Sequence, residues 1–97
     1  MIPTASMVDL FRSGYAEKRA AVLAQDLDRY PEHRDIRFQA DFVARLRVAV
    51  RMNIARAFAC QVKGRPARAA RAAYYGGGYF AEYRKHLRQL KAIGGIK

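Results

Sequence analysis

The chain has no tryptophan, one cysteine, three prolines, and only eight acidic residues against nineteen basic ones. Each scarcity removes a class of protein. With Cys60 standing alone there is no internal disulfide and no cysteine-based zinc site. Near the apolar arc of a long helical segment, Cys60 reads as a small buried hydrophobe. No apolar run reaches the ~20 residues that a bilayer-spanning helix requires. The best candidate, Phe42 to Val62, is broken by four arginines, so a peripheral or soluble protein is expected. No stretch alternates apolar and polar residues between turn signals, which leaves no strand pattern to compete with helix.

Chemistry is sparse as well. His33 falls in a turn and His86 on a basic helix face, and neither belongs to a metal-ligating set, so no metal site is expected. Asp26 and Asp28 are too close in sequence to share a helical face, and Asp28 with Glu32 reads as a solvated turn. No nucleophile is placed with a base and an orienting group, so no catalytic residue is assigned and the chain is not expected to be an enzyme. The glycine run Gly76-Gly77-Gly78 lacks the following Lys and Ser/Thr of a phosphate-binding loop. A helix kink or a close helix approach is the expectation there. The opening Met-Ile-Pro-Thr-Ala-Ser is no secretory signal, and the early Asp9 and Glu17 suit a mitochondrial presequence poorly, leaving an internal or uncleaved address open.

What is present is basic and helical. A chain of 97 residues makes one small domain, residues 1–97, with one modest core. Its formal charge of +11 directs attention to an acidic partner. Arginine outnumbers lysine 14 to 5. Guanidinium groups contact carboxylates and phosphates through two bonds at once, which suits fixed interfaces; a GC-rich genome produces the same bias with no functional meaning.

Three helical segments are expected. The first starts at Ser6 as a capping residue with Asp9 in a capping box, carries Val8, Phe11, Tyr15, Val22, Leu23 and Leu27 at helical spacing, and ends at Tyr30-Pro31. Gly14 weakens it by about 1 kcal/mol relative to alanine. Asp35 caps the second, which runs to about Val62 and is stopped by Lys63-Gly64-Arg65-Pro66. On that helix Phe38, Phe42, Val43, Leu46, Ala49, Val50, Ile54 and Ala57 share an apolar arc, and Arg37, Arg45, Arg47 and Arg51 an opposite, basic one. The third is alanine-rich, meets the triple glycine, where a break or kink is expected, and resumes with Tyr79, Phe80, Tyr83, Leu87 and Leu90. Arg84, Lys85, Arg88 and Lys91 surround that last stripe, and residues 94–97 read as an extended tail. The fold class is all-α, a three-helix bundle.

At three places the residues resemble the LYR family of small, basic, three-helix mitochondrial proteins. Leu10-Phe11-Arg12 resembles the Leu-Tyr-Arg signature, with Phe11 in place of tyrosine and so without its hydroxyl. Val43, Arg45, Leu46, Arg47, Ala49, Val50, Arg51 and Asn53 follow the family's second-helix run, with Leu46 for isoleucine and Val50 for phenylalanine. Phe80-Ala81-Glu82-Tyr83-Arg84-Lys85-His86 is similar to a stretch of an LYR-type accessory subunit of respiratory complex I. The first helix and its turn are about a dozen residues longer than the family pattern.

The resemblance implies a non-catalytic accessory subunit on the matrix side of the mitochondrial inner membrane that docks the acidic acyl carrier protein. No cofactor is held directly; the carrier's acyl-phosphopantetheine chain enters between the helices. It also implies that Leu10, Phe11, Arg12, Arg45, Arg47 and Arg51 meet the carrier, and that Phe42, Leu46, Val50 and Ile54 line the core or the acyl tunnel, plain core packing being the alternative for each. Two other readings stand beside it. One is a mitochondrial ribosomal protein, in which Arg65, Arg68 and Arg71 with Tyr74, Tyr75 and Tyr79 contact rRNA. The other is an LYR-type assembly factor for iron–sulfur delivery.

Overall fold

A computed structural model describes residues 5–25 and 27–94. Three helices, α1 (Ala5–Leu23), α2 (Ile36–Val62) and α3 (Pro66–Ala92), make an all-α bundle, with no strand among the described residues. Two short 3₁₀ turns, Leu27–Arg29 and Pro31–Arg34, connect α1 to α2. The body is a rod of 44 × 22 × 20 Å. Helix α3 is its axis: α1 and α2 each pack along α3 far more extensively than against one another.

Helix boundaries follow local chemistry. Asp35 has extended backbone and its carboxylate accepts the Phe38 amide at 2.8 Å, which satisfies one of the free donors at the start of α2. Replacing Asp35 with alanine is expected to lower the unfolding free energy by about 1 kcal/mol in urea titrations; an unchanged midpoint would show that the bond is not maintained in solution. At the other end Gly64 adopts φ +67°, a left-handed turn that a side chain resists, and Pro66 opens α3 at its first position.

Two expected boundaries differ. Ser6 lies inside α1 and is not its cap, because the helix already includes Ala5. Helix α1 also stops at Leu23, seven residues before Tyr30, and Leu27 belongs to a 3₁₀ turn. The early stop has a partner on α3. The Lys85 ammonium donates to the Val22 and Gln25 carbonyls (the latter at 2.6 Å), so a cation sits on the negative end of the α1 dipole. Lys85 is therefore a cap for α1, where the sequence pattern had placed it among surface charges. Of the tail, only Gly94 lies within the described residues.

The triple glycine does not break α3, which is continuous through Gly76, Gly77 and Gly78. It serves as a seam against α1. A Cβ on Gly77 would stand 1.9 Å from the Phe11 carbonyl oxygen, and one on Gly14 would stand 2.0 Å from that of Tyr74. Each glycine thus admits the other helix's backbone. Gly14, which weakens α1 by propensity, is what lets α1 dock. Buried alanines extend the close approach: Ala69, Ala72, Ala73 and Ala81 on α3 and Ala57 on α2 are all at most 4% exposed. Tight backbone packing through small residues thus adds to the buried side chains of Met7, Val22, Val43, Leu46, Val50 and Leu90.

Candidate functional site

Where the three helices diverge they leave a cleft of about 430 Å³. Its walls are almost wholly apolar. Helix α1 supplies Met7, Val8, Phe11 and Tyr15; α2 supplies Ile54, Ala57 and Phe58; α3 supplies Ala73 and Phe80. Phe80 forms tilted ring contacts with Phe11 (5.9 Å between centroids) and Tyr15 (5.6 Å), and stacks on Tyr83 (6.2 Å), so one wall is a fixed aromatic surface. Arg12 and Arg84 supply the charge. The Arg84 guanidinium donates to the Tyr15 hydroxyl at 2.8 Å and lies over its ring at 5.9 Å. An apolar slot bordered by two cations accepts an apolar chain that ends in, or is attached to, something anionic.

The expected site residues divide. Phe11, Arg12 and Ile54 come together at this cleft, and Leu10 packs beside it against the cluster of Met7, Ala57, Ala72 and Ala73. Leu46 and Val50 do not line it, being buried in the core. Phe42 lies elsewhere, between the rings of Phe38 and His86. The arginines of α2 are all exposed but do not form one row. At about 100° per residue, Arg47 and Arg51 fall within ~60° of Ile54, on the cleft flank, while Arg45 points to the reverse flank. Arg45 is also paired with Asp41 at 3.0 Å. The apolar arc of α2 is likewise narrower than its pattern, since Phe38 and Ile54 are 38% and 37% exposed. Sequence spacing alone had not singled out Met7 or Phe58.

In a second cluster His33 lies in a turn, as expected, and His86 differs from expectation. His86 is 5% exposed and stands among aromatic rings, not on a basic face. Its partner is Gln39, the one large side chain with no exposed surface among the described residues. The Gln39 amide nitrogen donates to the His33 carbonyl at 2.9 Å and approaches His33 Nδ1 at 3.3 Å. Its oxygen is thereby left to accept from His86 Nδ1 at 3.1 Å. Gln39 so ties the α1–α2 connection to the C-terminal third of α3. Burial, reinforced by the neighbouring His33, pushes His86 down from 6.5 to about 4, and it is neutral at physiological pH. No group of three or more His, Cys, Asp or Glu side chains among the described residues could hold a metal ion.

Cys60 also departs from expectation. It is half-buried, at the edge of a groove on the reverse flank that Asn53, Arg56, Arg68, Arg71, Ala72 and Tyr75 complete. No described helix is long and apolar enough to cross a membrane. Set against known protein families, curated proteins and solved structures, the chain matches none of them.

Proposed function

We propose that this chain is a non-catalytic docking subunit that holds an acidic, acylated carrier protein, with the acyl chain in the three-helix cleft. The observation that carries the reading is the cleft itself. The Phe11 and Arg12 side chains of the Leu10-Phe11-Arg12 run stand at an apolar slot walled by all three helices. An acyl chain is unbranched, apolar and tethered to an anionic phosphopantetheine, and this slot offers aromatic and aliphatic walls with Arg12 and Arg84 beside them. Arg47 and Arg51 extend positive charge along the same flank and would steer the acidic carrier into place. By the resemblance to LYR proteins, the host assembly is respiratory complex I at the matrix face of the mitochondrial inner membrane, with an assembly factor as the variant reading.

Titration with a purified acidic carrier, in long-chain acylated and unacylated forms, tests this. Acylation is expected to tighten binding at least tenfold, an increment that Ile54→Trp, filling the slot, removes. Arg12→Glu/Arg47→Glu is expected to weaken both forms. Equal affinity for the two carriers would eliminate the cleft as the acyl site, and full-strength binding by the double glutamate variant would eliminate the basic flank as the docking face.

A further inference from the structure

Between Phe42 and Ala81 there is no aspartate or glutamate, while the same stretch holds seven arginines and Lys63. This folds into most of α2, the turn, and the first part of α3, so one end of the rod is strongly cationic, with Arg45 paired to Asp41. On the flank opposite the cleft this end carries the groove of Arg56, Cys60, Arg68, Arg71 and Tyr75, about 510 Å³ in volume. All three arginines are exposed, and among the described residues no carboxylate pairs with them. Tyr75 is 53% exposed and Tyr79, one turn further along α3, is 39% exposed. Arg68, Arg71 and Tyr75 are spaced three and four, so they form one stripe ~10 Å long; Tyr79 continues it into a neighbouring hollow that the two tyrosines share with Glu17 and Glu82.

We infer that this groove binds single-stranded nucleic acid. Unpaired guanidinium groups on the wall of a trough contact successive phosphates. An exposed phenol ring in the same trough offers a face on which an unstacked base can lie, which acidic protein surfaces do not need and duplexes, with their bases already stacked, do not supply. The inference does not depend on the carrier reading, because the two surfaces lie on opposite flanks of the α2–α3 pair and share no lining residue.

The test uses fluorescein-labelled oligouridylate and oligothymidylate, a duplex of equal length, and polyglutamate. Anisotropy across a salt series is expected to give single-strand binding whose log affinity falls with log salt at a slope of about −2, as three phosphate contacts require. Arg68→Glu/Arg71→Glu should weaken it at least ~30-fold and Tyr75→Ala about tenfold, with helical content unchanged by circular dichroism. Stronger binding of oligouridylate than of oligothymidylate would name RNA as the ligand, and equal binding would name single strands of either kind. Independently, Cys60 is the chain's only thiol and lies in the groove, so oligonucleotide should slow its alkylation in the unmutated protein. Absent binding, equal affinity for the duplex or for polyglutamate, variants that bind like the parent, or unprotected Cys60 would each overturn the inference.

Discussion

Gly77→Ala is expected to be among the most damaging single substitutions in this chain, costing about 3 kcal/mol or more although it adds one methyl group to a helix. The added carbon would lie 1.9 Å from the Phe11 oxygen, 2.8 Å from the Tyr15 nitrogen and 2.9 Å from the Phe11 carbon, all of them backbone. No rotamer change relieves that, so α1 must move off α3. The position also loses an attraction, since the glycine hydrogen aimed at a carbonyl is the geometry of a weak Cα–H···O contact. In a domain of this size such a loss lowers the melting temperature by roughly 10–20 °C. The control lies next door. At Gly78 the nearest atom to an added Cβ is Lys18 Cβ at 3.7 Å, an ordinary contact. Gly78→Ala should therefore stabilise the protein, by up to about 1 kcal/mol, through helix propensity and a less flexible unfolded chain. Thermal melts of the two variants side by side decide it: similar shifts in the same direction would mean that the seam is not closed as described.

The second large effect is expected at Gln39. Gln39→Leu keeps the volume and removes the bonds to the half-buried His33 carbonyl and to His86 Nδ1, the latter stranded inside the protein. A cost of about 1–3 kcal/mol follows from orphaning one buried group. The same cluster sets a pH dependence. His86 titrates near 6.5 in the unfolded chain and near 4 in the folded one, so the unfolded state takes up the proton first. Stability is complete above pH 6.5 and is lost as pH falls from 6.5 toward 4, by up to about 3 kcal/mol from this group. His86→Gln removes the titration while keeping an amide to bond Gln39. Urea unfolding of parent and variant should give curves that converge over that window. Curves parallel from pH 7 to 4 would show that His86 is not buried uncharged.

How far the sequence carried these conclusions differs by element. The α2 cap at Asp35 and the stop at Gly64-Arg65-Pro66 were legible because capping and left-handed glycine act within four residues and need no tertiary partner. The triple glycine was legible only as two alternatives. A lone helix is weakened by glycine, and only the position of α1 makes Gly77 a contact point where a break had been expected. Gln39 and His86 were invisible for a related reason. Polar residues in a helical pattern are assigned to solvent by default, and their burial depends on a reciprocal bond between residues 47 positions apart. The second-helix arginines show the converse error. The helical arcs expected for α2 placed these arginines together opposite the apolar stripe, whereas the rotation per residue sends Arg45 to one flank and Arg47 with Arg51 to the other. The candidate cleft was half legible: Phe11, Arg12 and Ile54 were in view, but the space between helices is a property of how they splay, which spacing does not encode.

The central place of α3 also has a consequence in time. During synthesis α1 leaves the ribosome with its docking face complete, yet the backbone it must meet, around Tyr74 and Gly77, follows more than fifty residues later. At ~5–20 residues per second that is roughly 3–12 s in which Met7, Phe11 and Val22 have no native partner on α3. The α2–α3 hairpin, closed by a short turn, can form as soon as both helices have emerged, and α1 then docks last onto a finished surface. A nascent chain of this design has its earliest-made helix as its most exposed one, and a companion that shelters α1 during those seconds would act before the bundle exists.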